Sequence, residues 1–119
     1  RFDTDGRIEG TAWGFQEQGM VDIGFNTDAP VVPQEELTTQ AAMGVRYGLR
    51  NDRAQGLRGV TIIPARTSGI ADRVGSLEPG KHADILVCSG DPIDPRTRFD
   101  AVWVNGEKVY DAEIGGRAW

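Results

Sequence analysis

Helical spacing of apolar residues stops at about Asp72 in this 119-residue chain and does not return. Upstream, apolar residues recur at helical intervals around one short alternating run. From Arg73 onward, turn-forming residues separate short runs with the two-residue period of pleated strands. A chain that changes period once in this way is neither a uniform helical bundle nor a uniform sandwich. It must combine a βα-type part, residues 1–72, with a part built from antiparallel strands, residues 73–119. The second part holds the sharpest local signal. Ala101-Val102-Trp103-Val104 and Glu107-Lys108-Val109-Tyr110 flank Asn105-Gly106, a pair that tolerates positive φ at both positions and so predicts a tight hairpin. Before the hairpin come a turn-rich passage over 75–82, a strand over 83–87, and a loop rich in Asp and Pro over 90–98.

The first part reads as helix, strand, helix. Residues 11–18 can make two helical turns, with Thr11 near the cap and Gly19 at the stop position. Val21, Ile23 and Phe25 then alternate with smaller or polar residues, which predicts a short strand over 21–25. Asn26-Thr27-Asp28 followed by Pro30 ends that strand abruptly. Pro33, Glu35 and Glu36 stand where a helix N-terminus prefers proline and acids, and Leu37, Ala41, Val45 and Tyr47 give one apolar face before Gly48. Further helical segments are expected near 52–59 and over 64–70, with Pro64 at a tolerated first-turn position. The tail, 112–119, is Gly-rich and has no readable period.

Both parts read as incomplete. One strand with flanking helices makes no barrel, and three or four strands are too few for a self-sufficient sandwich. The chain is also shorter than the roughly 200 residues of a small complete eight-stranded barrel. Its opening stretch, 1–10, has no methionine and no apolar signal region, and is expected to be the inside of a longer protein. Composition then narrows the partners. With 39% hydrophobic and 26% charged residues, and no apolar run near the ~20 residues of a membrane span, the chain belongs with soluble globular proteins and no membrane partner is expected. A net charge of −5 and scattered basic residues argue against nucleic acid, whose binding needs clustered Lys and Arg. Cys88, the single cysteine, excludes an internal disulfide and a multi-Cys metal site. It does not separate cytoplasm from periplasm, although the composition favours the cytoplasm over secretion.

The residue that draws attention as chemistry is Asp28. A carboxylate at the abrupt end of a strand faces a loop, and at the C-terminal end of a barrel strand that is where side chains reach an active site. The competing role is a turn or helix cap ahead of Gln34. Other residues carry plainer readings. His82, the only histidine, has no second histidine at ligand spacing and is expected at the surface. Cys88 is expected to be a small hydrophobe, Asp91 and Asp94 turn residues, and Trp13, Trp103 and Trp119 packing residues.

Gly59-Val60-Thr61-Ile62-Ile63-Pro64-Ala65-Arg66, then Gly75-Ser76-Leu77-Glu78-Pro79-Gly80-Lys81-His82-Ala83-Asp84-Ile85-Leu86-Val87, then Gly90-Asp91-Pro92 and Val102-Trp103-Val104-Asn105-Gly106 carry a resemblance. Together, over roughly residues 11–111, they resemble the C-terminal end of a metal-dependent amidohydrolase, most similar to the imidazolonepropionase-like and prolidase-like enzymes. His82 departs from the family pattern, which more often has an acid there. The resemblance implies an α/β fold in two pieces. Residues 1–72 would be the last strand and helices of a (β/α)₈ TIM barrel, with 21–25 as strand eight, and residues 73–119 part of a small composite β-sandwich. It implies a divalent metal, zinc before others, as one or two ions held mostly by residues outside this chain. Asp28 would be both metal ligand and catalytic acid–base, with Asn26, Thr27, Ala29 and Pro30 shaping the pocket for a small-molecule substrate. The implied partner is the remainder of the same enzyme, and a homo-oligomer stays open. The alternative is a non-catalytic binding or scaffolding module descended from such an enzyme.

Overall fold

The computed structural model describes residues 5, 6 and 8–117. Four helices, α1 (Thr11–Glu17), α2 (Leu37–Arg46), α3 (Gln55–Arg58) and α4 (Ile62–Thr67), precede four strands, β1 (Ile85–Cys88), β2 (Phe99–Val104), β3 (Glu107–Asp111) and β4 (Gly116–Arg117). The change of period read from the sequence is therefore a change of element type. A 3₁₀ turn over Gln34–Glu36, with Glu35 and Glu36 in its first turn, leads into α2, and Ala41 on that helix is fully buried. Gly48, at φ 107, takes the chain out of α2 where an L side chain would be strained. Pro64 sits in the first turn of α4, where its missing N–H leaves no hydrogen bond unmade. The expected cap at Thr11 is corrected: Gly10 is the N-cap and makes no side-chain bond.

The strand expected over 21–25 is absent. This segment is not part of any ladder, because a strand exists only by pairing and here only helices lie against it. Its fixed point is Phe25, whose N–H donates to the Gly59 carbonyl at 2.9 Å. The ring is gripped on two sides: a Cβ placed on Gly44 or on Gly59 would lie 2.6 Å from it.

The strands form an antiparallel meander in the order β1-β2-β3-β4. Asn105 at φ 51 and Gly106 at φ 85 make the predicted hairpin turn. Outside the hairpin itself, the Ala83-Asp84 pair holds that turn: the Asn105 N–H donates to Asp84 Oδ1 at 2.7 Å and the Gly106 N–H to the Ala83 carbonyl at 3.0 Å. Lys108 lies 4.9 Å from the centre of the Trp103 ring, its cross-strand partner. The tail contributes a two-residue strand, β4, that no sequence period announced. Trp119 lies outside the described residues.

Ile93, buried in the loop between β1 and β2, reaches back to the helices: a Cβ on Gly56 of α3 would sit 2.6 Å from its Cδ1. Much apolar surface is nevertheless left uncovered. The chain exposes 8532 Å², against about 6,300 Å² for a free-standing domain of 12.9 kDa. Its radius of gyration is 16.0 Å, where about 13–14 Å is usual for this length. Leu77, Val31 and Ile114 are each more than 70% exposed. Among the described residues, no helix is long and apolar enough to cross a membrane.

Candidate active site at the Asp28 turn

Asp28 is exposed and stands at the corner of a tight turn. Its φ is +50, a left-handed conformation that Asp and Asn tolerate better than other L residues because their short side chains bond locally. Asn26 supplies that local bond: its Oδ1 accepts the Asp28 N–H at 3.0 Å. The Asp28 carbonyl accepts the Val31 N–H at 2.9 Å across the cis Ala29–Pro30 peptide, and the Thr27 carbonyl accepts the Val32 N–H at 3.2 Å. Two nested backbone bonds thus close the loop behind the carboxylate. The carboxylate itself makes no hydrogen bond or ion pair among the described residues, so it caps no helix or turn. Thr27 is buried, while Asn26, Ala29 and Pro30 are exposed beside Asp28. The five residues singled out in the sequence therefore share one turn, presented three residues beyond the Phe25 anchor.

A single carboxylate with free lone pairs fits one position in the coordination sphere of a hard or borderline cation. The described residues contain no group of three or more His, Cys, Asp or Glu that could hold an ion by themselves. The remaining candidates fall where plainer readings put them. His82 is exposed, and its N–H donates to the Arg73 carbonyl at 2.8 Å. Cys88 is half-buried at the end of β1, and burial pushes its thiol above the ordinary value, away from nucleophilic character. Asp91 and Asp94 each accept a backbone N–H two residues on, as turn residues do. An apolar groove of about 710 Å³, lined by Leu57, Val60, Pro64, Ile70, Ile85 and Phe99 among others, lies between the helices and the sheet. Asp28 is not in its lining.

The Gly75–Val87 motif has a structural job. Ser76 Oγ donates to Glu78 Oε1 at 2.5 Å, and Lys81 Nζ donates to Ser76 Oγ at 2.6 Å and lies 3.0 Å from Glu78 Oε1. The Lys81 side chain is only 12% exposed. The Ser76 hydrogen bond first, and then Lys81, hold the Glu78 carboxyl below its ordinary value of 4.5. A depressed carboxyl contributes stability above its unfolded pKa and loses it as pH falls through the folded one. Glu78→Gln should therefore lower the urea midpoint slightly at pH 7, and the difference from wild type should vanish as the pH drops below 4.5. His82→Ala should leave the urea midpoint unchanged, since the residue is exposed and its backbone N–H is the group that is bonded.

Sequence reasoning missed the grip on Phe25. The signal was present in Gly44, a glycine inside a helical pattern, which commonly marks a close approach by another group. It also missed the Asn26 bond, a local one that the Asn-x-Asp spacing could have signalled, and the Asp84 hold on the hairpin, whose partners are 21 residues apart.

Helices followed by an antiparallel sheet, with a free carboxylate presented from a turn, make a mixed helix-and-strand scaffold that carries this carboxylate on a loop. The family model described as the amidohydrolase family matches residues 12–112, and the chain belongs to that family. Among curated relatives it is similar to amidohydrolase tasK of Hapsidospora irregularis, 35% identical over 98 residues, covering 82% of this chain and 10% of that protein. It is also similar to the N-substituted formamide deformylase of Arthrobacter pascens, 38% identical over 69 residues, covering 58% of this chain and 10% of that protein. Among solved structures, an amidohydrolase from Thermotoga maritima MSB8 superposes with a TM-score of 0.75 at 38% identity, covering 85% of this chain and 26% of that one. The chain therefore spans about a tenth of the length of these curated relatives and about a quarter of that solved structure.

Proposed function

We propose that this chain is the carboxylate-bearing segment of a metal-dependent hydrolase that cleaves C–N bonds in a small-molecule amide, cyclic amide or dipeptide-like substrate. The observation that carries the reading is the free carboxylate of Asp28, held at a rigid turn within the stretch that matches the amidohydrolase family. In this reading residues 1–72 complete a (β/α)₈ barrel, with 21–25 as its last strand, and residues 73–119 complete a small β-domain. Within 21–25 the one backbone–backbone bond among the described residues is the one at Phe25, which is consistent with a strand whose neighbours lie on another polypeptide segment. Asp28 is one ligand of a divalent cation, with zinc the first choice for a mixed nitrogen and oxygen donor set. When bound, the ion supplies a water that is acidic near neutral pH. Asp28 takes a proton from the attacking water and returns it to the leaving nitrogen, a shuttle that a carboxylate free of internal partners is able to perform. Asn26, Ala29 and Pro30 border the carboxylate on its exposed side, and Thr27 supports it from within.

The partner is then the rest of the same enzyme. The excess surface of more than 2,000 Å² relative to a free-standing domain matches the area that obligate assemblies bury. The test is metal analysis and an amidase assay on the purified chain, with and without the complementary polypeptide. Alone, it should hold no stoichiometric metal and hydrolyse nothing, since a catalytic zinc site needs about three protein ligands. With its complement, both should appear. A lone chain that holds stoichiometric metal and turns over substrate would end this reading.

A further inference from the structure

We propose that Asn26 is a positioning residue for Asp28: its carboxamide oxygen fixes the backbone that presents the carboxylate, and it acts through that backbone rather than on substrate. The inference rests on the role proposed for Asp28 but not on any particular substrate. Three anchors define the path of the chain here. Upstream, the Phe25 N–H is bonded to Gly59 and its ring is held against Gly44 and Gly59. Downstream, the Val31 and Val32 N–H groups bond to the carbonyls of Asp28 and Thr27. Between them lies Asp28 itself, at φ +50, in a region that an L residue enters only when something nearby over-determines it.

Neither backbone anchor fixes that dihedral by itself. Phe25 is bonded ahead of it and the Val31 bond engages the Asp28 carbonyl, beyond the φ rotation. The group that engages the Asp28 N–H is Asn26 Oδ1, at 3.0 Å. The bond from Asn26 fixes the plane of the Thr27–Asp28 peptide, and the Val31 bond holds the carbonyl on the far side of the φ rotation, so the direction in which the Cβ leaves the turn depends on the acceptor on Asn26. A misplacement of about 1 Å at a catalytic group is enough to reduce a rate by about 10²-fold.

In the complete enzyme, Asn26→Ala should lower kcat by roughly 10- to 100-fold while KM stays within about twofold, with thermal midpoint and metal content unchanged. Asn26→Ser, which places a hydroxyl oxygen where it can accept the same i+2 N–H, should restore most of the loss. In an Asp28→Asn background, Asn26→Ala should cause no further decrease. A raised KM at native kcat, no rescue by serine, or an undiminished effect in the Asp28→Asn background would each overturn the positioning role. Native turnover by Asp28→Asn alone would instead remove the parent assignment, which separates the two failures.

Discussion

In the role proposed for Asp28, its replacement by asparagine should reduce kcat of the proposed complete hydrolase by about 10³-fold or more, equivalent to about 4 kcal/mol of transition-state stabilisation, while leaving the fold intact. The fold should survive for three reasons. The side chain is exposed, its carboxylate makes no bond among the described residues, and asparagine accepts a left-handed φ as readily as aspartate. The bond from Asn26 goes to the backbone N–H and is unaffected by the change. What asparagine removes is the capacity to take up a proton, and with it the negative charge offered to a cation. Measuring kcat beside metal content tells the two apart: full metal with collapsed turnover assigns the proton shuttle, and lost metal assigns the ligand role. Near-native turnover with full metal would return Asp28 to an ordinary turn residue.

A large stability effect is expected at Gly59. A Cβ there would lie 2.6 Å from Phe25 Cδ2 and 2.7 Å from the Ile23 carbonyl oxygen. A side-chain clash alone could be relieved by turning the ring, but the carbonyl belongs to the segment that leads to Asp28 and moves only if that segment moves. Gly59→Ala should therefore destabilise by about 2–3 kcal/mol, at the upper end of overpacking costs. Gly44→Ala should cost less, because the nearest atoms its new methyl would meet are those of the Phe25 ring and the Ala12 methyl, all side-chain atoms. Urea midpoints of the two variants check the order. Equal midpoints would show that the Ile23 carbonyl is not the obstacle. Because the same contact sets the height of Asp28, Gly59→Ala should also lower kcat where the protein still folds.

The sequence determined what depends on neighbours within a few residues. Asn105-Gly106 specified the hairpin because both residues reach positive φ at low cost, and the structure has them there. The loss of helical period after Asp72 marked the passage from helices to sheet for the same local reason. Asp28 stood out because Asn26-Thr27-Asp28, with Pro30 close behind, does not continue a strand. Boundaries drifted where local signals are weak: the helix expected near 52–59 is one turn, Gln55–Arg58, entered through Ala54 in a left-handed conformation.

What only the tertiary structure decided are contacts between groups far apart in the chain. Whether 21–25 is a strand depends on a neighbour, and within the described residues the only backbone group that meets it is the Gly59 carbonyl at Phe25. The glycines of α2 and of the α3 exit grip one ring, Asp84 caps a turn 21 residues away, and Lys81 folds back over Ser76 and Glu78. Period and propensity act over a turn of helix or a pleat of strand. The Asp28 turn is held locally by Asn26, but the Phe25 ring that anchors it is gripped by Gly44 and Gly59, from two other parts of the chain, and only folding brings these together.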